Sequence, residues 1–205
     1  MRVETLNFLR DKEDYISGED LAHRFKLTRQ GLWKHIQELR SLGYDIVAVP
    51  HLGYKLLKVP DKLYPWEIKY RLNTKFIGER VSYYDKISST MDAAWDLGKN
   101  GAPEGTIVCA EHQTKGRGRL GRKWVSPQSK GLYFSIILRP NILPQKIPCI
   151  TLLSAVAAAA GIKKTTNLSL SIKWPNDILI GNKKLAGILT ELNAEQDGIN
   201  FVVVG

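Results

Sequence analysis

The chain has 205 residues, 43% of them hydrophobic and 24% charged, with a formal net charge of +10 at pH 7. These proportions are typical of a globular protein with a hydrophobic core, and the length fits one large domain or two small ones. The positive charge favours anionic partners, but residues 1–60 carry only 10 Lys/Arg against 8 Asp/Glu. Because most of the excess lies in residues 61–205, the net charge does not by itself indicate that the whole chain binds nucleic acid.

Three features of the sequence predict a soluble, cytoplasmic protein with no membrane partner. The first residues, MRVETLNFLRDKED, lack the apolar segment of a signal peptide. The longest apolar stretch, residues 147–162, contains Pro148 and is expected to be a core helix too short to span a bilayer. Cys109 and Cys149 have no C-x-x-C spacing, so we expect both to be buried free thiols in a reducing compartment.

Residues 1–60 are predicted to form a winged helix-turn-helix domain. Ser17 can cap one helix and Thr28 a second, and apolar residues recur in the second at i, i+4 and i+7 until Gly43 ends it. Two short strands around a turn at residues 51–53 follow. Two helices joined by a few residues and followed by a β-hairpin form the winged-helix arrangement.

The second of these helices would present a polar face to solvent. Arginine and glutamine suit base edges and lysine suits phosphates, so the pattern favours DNA binding. The alternative is a solvated helix face in a winged helix that binds protein. Arg40 lies on the same face, and His51 and Lys55 of the wing are weaker candidates for phosphate contacts. The predicted DNA-binding residues are Arg29, Gln30, Trp33, Lys34 and Gln37.

A short proline-containing linker, residues 61–66, separates this domain from a larger one, residues 67–205. The predicted helices are 66–72, 90–98 and about 145–161. The predicted strands are 81–85, 106–111, 131–139, 169–173, 185–191 and 200–204. No full helix separates strands 106–111 and 131–139, which favours a mixed α+β sheet over a doubly wound parallel one.

The loop between those two strands contains HQTKGRGRLGRKW, residues 112–124. It matches G-x-G-x-x-G, but no helix begins within it and no acidic residue follows about twenty positions later, so we reject dinucleotide binding. The chain also lacks G-x-x-x-x-G-K-[ST], which excludes a P-loop. Glycines let a backbone fold around a ligand, arginines donate to carboxylate or phosphate, and Trp124 offers a face to a base. The loop therefore suits an adenylate or phosphate ester, whereas the usual meaning of such a charge run is an exposed basic loop.

A second polar cluster, KWPND at residues 173–177, is followed by KKLAGIL at residues 183–189. The spacing indicates a strand, a turn and then a hairpin around residues 181–182 that leads into an apolar strand. Lys184 beside that strand is equally compatible with a phosphate contact and with a solvated side chain.

Together these segments resemble one known family. Ser88-Ser89-Thr90, the GRGRLGRKW loop, KWPNDIL and KLAGIL, in this order and spacing, resemble the bifunctional biotin protein ligases that also repress biotin operons. The resemblance runs from about residue 17 to the last residue. It implies an α+β chain in which a winged helix-turn-helix domain precedes a mixed-sheet ligase domain like that of class II aminoacyl-tRNA synthetases.

The resemblance also implies the chemistry and the partners. The biotin carboxylate would attack the α-phosphate of ATP, with Mg²⁺ present, and biotinyl-adenylate and pyrophosphate would form. A lysine of a biotin carboxyl carrier domain would then take the biotinyl group and release AMP. Operator DNA and a second copy of the chain, in an adenylate-dependent homodimer, are the other implied partners.

Roles follow for individual residues of this sequence. The resemblance implies catalytic roles for Arg119, Lys184 and Asp177, the last in orienting the incoming lysine or at the metal, and it implies no dedicated metal-ligand set. The implied biotin-binding residues are Ser89, Thr90, Gln113, Gly116, Arg117, Arg119 and Lys184. The implied ATP- or adenylate-binding residues are Arg122, Lys123, Trp124 and Asn176.

The sequence departs from the family pattern at two places. Leu120 stands where related loops often have another basic residue. The family's Gly-x-Gly-x-Asn turn and its carboxy-terminal SH3-like domain are absent before Gly205, so we expect an incomplete ligase domain. Two other functions remain open: a winged-helix regulator that binds biotin or its adenylate without catalysis and, less favoured, lipoate ligation on the related fold.

Overall fold

The computed structural model describes residues 2–195 and 198–205 and divides the chain into two compact units, Met1–Lys62 and Leu63–Gly205. The first unit contains three helices and a two-stranded antiparallel sheet. Its elements are α1 (Arg2–Arg10), α2 (Gly18–Arg24), α3 (Arg29–Ser41), β1 (Asp45–Val49) and β2 (Gly53–Lys58).

The predicted winged helix-turn-helix fold of the first unit is confirmed, and local hydrogen bonds explain its boundaries. The Ser17 Oγ accepts from the Asp20 N–H at 3.0 Å and begins α2, and the Thr28 Oγ1 accepts from the Gly31 N–H at 3.0 Å and begins α3. The apolar face of α3 is fully buried. At the turn between the wing strands, Gly53 has a φ of +105° and lies so close to the backbone of Ile16 that a Cβ would collide with it.

The second unit is built on two sheets, and the mixed sheet predicted from the sequence is confirmed. A five-stranded sheet has the order β3-β4-β5-β10-β9, with β3 and β4 parallel and the other pairs antiparallel. A smaller antiparallel sheet has the order β6-β7-β8. The elements are α4 (Pro65–Lys69), β3 (Val81–Tyr84), α5 (Thr90–Lys99), β4 (Ile107–Ala110), β5 (Tyr133–Leu138), α6 (Ile147–Thr166), β6 (Ser171–Lys173), β7 (Asp177–Ile180), β8 (Lys183–Gly187), β9 (Thr190–Glu195) and β10 (Gly198–Val204).

The side chains of β10 alternate between the two faces of the larger sheet, and one helix packs on each face. Phe201 and Val203 point to the cluster that includes Met91 and Ala94 of α5. Val202 and Val204 point to the opposite cluster, which contains Ile150 and other residues of α6 together with Ile178 of the small sheet. Strand β10 thus contributes to two hydrophobic clusters, one with α5 and one with α6 and the small sheet.

The single strand predicted at residues 185–191 is wrong, because the segment supplies one strand to each sheet. β8 ends at Gly187 and β9 begins at Thr190. Between them, the Ile188 N–H donates to the Asn176 carbonyl at 2.8 Å, and Leu189 exchanges two 2.8 Å backbone hydrogen bonds with Gly205. The apolar residues of this segment are continuous in the sequence, so the sequence did not indicate that the chain passes from the small sheet to the larger one. The strand at Asp177–Ile180 is also absent from the predicted strands.

Helix α6 is longer than predicted and differs from a wholly buried core helix. The prediction that this segment is too short to span a bilayer is wrong, because residues 144–166 are long and apolar enough by length and composition. One such helix is weak evidence for a membrane span, since core helices of soluble proteins pass the same test. One face packs on the sheets through residues such as Ile150 and Ala155, while Leu153 and Val156 on the other face are exposed. The prediction for Cys149 is also wrong: this thiol near the start of α6 is exposed, whereas Cys109 in β4 is buried as expected.

Candidate active site

A cavity of about 790 Å³ in the second unit brings the two sequence motifs together. Its walls come from the amino-terminal end of α5, the loop after β4, the start of β5 and the β7–β8 hairpin. The lining includes nearly every residue to which the sequence assigned a role in this unit: Ser89, Thr90, Gln113, Arg117, Arg119, Arg122, Lys123, Trp124, Asn176, Asp177 and Lys184. Gly116 lies beside it in the backbone of the same loop.

The glycine–arginine loop folds as a tight hairpin over this cavity. The Gly118 N–H donates to the Arg122 carbonyl at 2.7 Å, and the Trp124 N–H donates to the Gly116 carbonyl at 2.8 Å. The turn at its tip needs positive φ at Leu120 (57°) and Gly121 (71°). Leu120 is 89% exposed, so the hydrophobic residue at the departure from the family pattern points into solvent.

Gly116 shows why a glycine is required at the base of the hairpin. A Cβ at this position would lie 2.6 Å from the Trp124 carbonyl oxygen and 2.8 Å from the Ser126 Oγ. Both contacts are shorter than carbon and oxygen atoms tolerate, and the first is to backbone that cannot rotate away. The two arms of the loop can approach each other only because this residue has no side chain.

The floor of the cavity is a connected set of hydroxyl and amide groups. The Gln113 Oε1 accepts from the Thr90 N–H at 2.8 Å and from its Oγ1 at 3.1 Å, and the Gln113 Nε2 donates to the Ser126 Oγ at 3.0 Å. The Ser135 Oγ in turn donates to the Thr90 Oγ1 at 2.9 Å. Ser89, the N-cap of α5, is also buried. Such a fixed network offers donors and acceptors in set directions to the polar head of a ligand.

Basic side chains form another part of the cavity wall, and Arg117 and Arg119 have different partners. Arg117 lies between Asp92 and Glu191, and these partners raise the pKa of its guanidinium. Arg119 donates from its Nη1 to the Asn176 Oδ1 at 3.1 Å. Arg122 and Lys123 line the cavity with exposed side chains.

Asn176 and Lys184 connect the small sheet to this wall. The Asn176 Nδ2 donates to the Ile188 carbonyl at 3.0 Å, which leaves its Oδ1 directed to Arg119. The Lys184 Nζ lies 2.7 Å from the Asp177 Oδ1 and 5.3 Å from the centre of the Trp124 ring. This position combines an ion pair with a cation–π contact and places the ammonium at the edge of the cavity.

Residues 83–205 match the biotin/lipoate A/B protein ligase family, and residues 4–55 match an HTH domain. The chain belongs to this ligase family. The bifunctional ligase/repressor BirA of Bacillus subtilis strain 168 is 47% identical over 192 residues, covering 94% of this chain and 59% of that protein. The BirA protein of Escherichia coli K12 is 34% identical over 193 residues, covering 94% and 58%. The chain thus spans less than two thirds of the length of these relatives.

Solved ligase structures are similar in fold. The biotin protein ligase of Leishmania major in complex with biotinyl-5-AMP has a TM-score of 0.54 and 25% identity, covering 62% of this chain and 56% of that one. The R40G mutant of the Aquifex aeolicus biotin protein ligase in complex with biotin has a TM-score of 0.50 and 32% identity, covering 62% and 50%.

The structure of this ligase-family domain adds residues that sequence reasoning missed. Ser126 and Ser135 hold Gln113 and Thr90, and Asp92 and Glu191 hold Arg117. The sequence did offer an indication for Ser135, because this polar residue occupies an inward position of the strand YFSIIL where an apolar residue is expected. Glu191 had none, since it is 74 residues away from its partner in the sequence.

The predicted DNA-binding residues lie in the other unit, on α3. Arg29, Gln30 and Lys34 are exposed, Trp33 is 56% exposed, and Gln37 is half-buried. Arg29 makes one exposed ion pair with Glu19 at 3.5 Å, and such pairs are weak enough to be exchanged for a phosphate. Arg40 differs, because its guanidinium donates twice to the Ile46 carbonyl and holds the wing instead.

Proposed function

We propose that the complete protein is an ATP-dependent biotin–protein ligase that also represses transcription of biotin-synthesis genes. The observation that carries the ligase proposal is one cavity lined both by the polar residues Ser89, Thr90 and Gln113 and by Arg119, Lys184, Asn176 and Trp124. The relatives named as bifunctional ligase/repressors support the pairing of this site with the winged helix.

In the first step, a carboxylate oxygen of biotin forms a bond to the α-phosphorus of ATP, and pyrophosphate leaves. Both reactants are anions, so the chemistry depends on neutralising charge and holding them in line. The Ser89, Thr90 and Gln113 floor would bind the polar head group of biotin. Arg119 and Lys184 would lie at the carboxylate and the reacting phosphate, with Trp124 against the adenine, Asn176 at the adenylate, and Arg122 and Lys123 at the outer phosphates.

In the second step, the carrier lysine attacks the acyl carbon of the mixed anhydride, and AMP leaves with the electron pair of the broken bond. The lysine attacks as the neutral amine after its ammonium has given one proton to solvent, and the nitrogen gives a second proton to solvent as the amide forms. Asp177 is half-buried and forms an ion pair with Lys184, and it would orient the incoming amine or, in the first step, contact Mg²⁺. Burial raises the pKa of Tyr133, whose hydroxyl donates to the Pro127 carbonyl at 3.1 Å, and this phenol therefore serves as a structural donor.

Mg²⁺ is the cofactor that the nucleotide implies. The described residues contain no group of three or more His, Cys, Asp or Glu side chains that could enclose an ion. Mg²⁺ commonly binds through substrate phosphates with one or two carboxylates, and Asp177 is the single acidic side chain among the described lining residues. The site fits an ion held mainly by ATP, which would neutralise the phosphates, and Asp177 would be its protein contact.

The enzyme proposal is tested by incubating the full-length protein with biotin, ATP, Mg²⁺ and a biotin carboxyl carrier domain. We expect pyrophosphate release and one biotinylated lysine on the carrier, measured by mass spectrometry. Arg119→Ala should release the adenylate at least about tenfold faster, with a Tm within about 2 °C of the wild type, because a charge-assisted hydrogen bond is lost from an exposed loop. Biotin binding without pyrophosphate release would identify a regulator in place of an enzyme, and use of lipoate in place of biotin would identify a lipoate ligase.

The repressor proposal places α3 of the winged helix on operator DNA and assumes an adenylate-dependent homodimer in the cytoplasm. Arg29→Ala and Lys34→Ala should each weaken operator binding about tenfold and reduce its salt dependence, because each removes a cation from the phosphate contacts. Fluorescence anisotropy with a labelled operator checks this, and sedimentation with and without adenylate checks the dimer. Unchanged affinity in both variants would leave the winged helix without a DNA role.

A further inference from the structure

We propose that Arg117 is a positioning residue that latches the glycine–arginine loop closed, and that it does not contact biotin or phosphate itself. Its guanidinium ties the loop to Glu191 on β9 and to the first turn of α5. The inference rests on the proposed ligase function and changes the role that the family resemblance implies for this arginine.

The N–H donors of the Arg117 guanidinium are directed to side chains of the protein. A guanidinium has five N–H donors, and five contacts are present. The Nε and Nη2 atoms donate to Glu191 at 3.1, 2.9 and 2.8 Å, and the Nη1 atom donates to the Ser89 Oγ at 3.4 Å and to the Asp92 Oδ1. These contacts occupy most of the donors that a carboxylate or phosphate of the ligand would need.

The positive charge of Arg117 is neutralised within the protein. Arg117 faces two carboxylates, so the three side chains together carry one negative charge and offer little attraction to an anionic ligand. Arg119, two residues further on, donates to the neutral amide of Asn176 and keeps a net positive charge. The two arginines therefore have different tasks: the charge of Arg119 is available to the reactants, and the charge of Arg117 is used inside the protein.

The Arg117 contacts connect the base of the hairpin to two regular elements of the domain. Arg117 lies between the two glycines at the base of the hairpin, opposite Lys123 in the isolated bridge that closes it. Glu191 stands on β9, and Asp92 and Ser89 form the start of α5. Anchoring this one residue to two rigid elements fixes the backbone that carries Arg119 and Arg122. Because the Arg117 side chain is 32% exposed, the latch can open without unfolding the domain.

Limited proteolysis tests the latch without requiring enzyme activity. Trypsin can cleave after Lys115, Arg117, Arg119, Arg122 and Lys123, and Glu191→Gln leaves all five sites in place. We expect cleavage within residues 115–123 of the unliganded Glu191→Gln protein to be about tenfold faster than in the wild type, because the charge-assisted fork is lost. The rate of cleavage after Lys99, and the Tm, should stay near the wild-type values.

The matched control is Glu195→Gln, which neutralises an exposed carboxylate on the same strand that contacts the Asn200 Nδ2 and not Arg117. Its loop should be cleaved at the wild-type rate. Equal cleavage rates in Glu191→Gln and the wild type, or equal acceleration in both variants, would overturn the latch. Neither result would bear on ligase activity in the wild type, so the two proposals can fail separately.

Kinetics provide a second test through Arg117→Lys. A lysine keeps the charge but cannot form the fork with Glu191. If Arg117 positions the loop, Arg117→Lys should raise the KM for biotin about tenfold, almost as far as Arg117→Ala, with kcat within about threefold of the wild type. If Arg117 instead neutralises ligand charge, Arg117→Lys should retain most of the wild-type kcat/KM while Arg117→Ala loses it, and the latch would be rejected.

Discussion

At the scale of single residues, the two thiols differ in burial, and this difference determines which of them can react. Cys109 lies in β4 with its Sγ 3.5 Å from the Leu63 carbonyl, and Cys149 lies on the exposed side at the start of α6. Burial, with a smaller contribution from the charge of Glu111, raises the pKa of Cys109 to about 12. The thiolate is the reactive form, so only Cys149 is placed to react under ordinary conditions.

We therefore predict that iodoacetamide at pH 8 modifies Cys149 and leaves Cys109 intact in the folded protein. Because the pKa of Cys109 is raised in the folded state, its thiol stays neutral below about pH 12, and the associated stability is lost only as the pH rises from the ordinary thiol range towards 12. Peptide mass spectrometry distinguishes the two sites, and labelling in urea provides the control in which both should react. Rapid native labelling of Cys109 would contradict the burial argument.

Gly187 controls the position of the Lys184 ammonium. A Cβ at residue 187 would lie 2.9 Å from the Lys184 Cε and 3.0 Å from its Nζ. The end of a lysine side chain moves easily, so Gly187→Ala should change the free energy of unfolding by less than about 1 kcal/mol. The displaced ammonium should nevertheless lower kcat by at least about tenfold, since a charge that is misplaced by an ångström stabilises the transition state poorly. Steady-state kinetics beside thermal unfolding checks this, and an unchanged kcat would argue against a catalytic Lys184.

At the scale of helices, two glycines allow a direct comparison of helix propensity and packing. Gly98 of α5 faces Phe201, and a Cβ there would lie 2.6 to 2.9 Å from three atoms of its ring. A Cβ added at Gly161 of α6 would meet no neighbouring atom of the described residues within 4 Å. Alanine is favoured over glycine in a helix by about 1 kcal/mol, whereas overpacking a core costs about 1–3 kcal/mol.

Gly98→Ala should therefore destabilise the protein by about 1 kcal/mol, and Gly161→Ala should stabilise it by about 0.5–1 kcal/mol. Urea denaturation of both variants measures the difference. Stabilisation by both substitutions would mean that Phe201 moves aside at little cost.

The local sequence was sufficient to predict some helices and strands and insufficient to predict others. The Ser17 and Thr28 side chains each accept a hydrogen bond from the backbone N–H three residues later, so the local sequence is enough to predict these helix caps. The break between β8 and β9 depends on Asn176 and Gly205, which are distant in the sequence. The periodicity of an apolar segment indicates that the segment is buried, but it does not indicate which sheet the segment joins.

At the scale of the whole molecule, the excess of positive charge lies mainly in residues 61–205, and Arg122 and Lys123 bring it to the cavity. ATP carries several negative charges and biotin carries one, so their association should respond differently to salt. We predict that the KM for ATP rises several-fold between about 50 and 500 mM salt while the KM for biotin changes less than about twofold. Initial rates at fixed saturating co-substrate measure this. Equal salt responses would indicate that the exposed cations do not attract the nucleotide.

Much of the candidate site could be predicted because two motifs carry most of its charged residues, and the structure places both around one cavity. The remaining parts could not be predicted from pattern. Glu191 becomes meaningful only when the chain has brought it beside Arg117, and Ser135 only when β5 has turned it towards Thr90. Long-range proximity is a property of the fold, and no local spacing encodes it.

The change of sheet at Ile188 and Leu189 also limits where the chain can tolerate insertions and deletions. Lys184 lies before this junction and Glu191 after it, and backbone hydrogen bonds to Asn176 and Gly205 fix the junction on both sides. An added or deleted residue here would shift β9 by one position and turn its inward side chains outward. Glu191 would then face away from Arg117 while Lys184 stayed in place. The number of residues between Lys184 and Glu191 must therefore stay constant if both side chains are to keep their positions at the cavity.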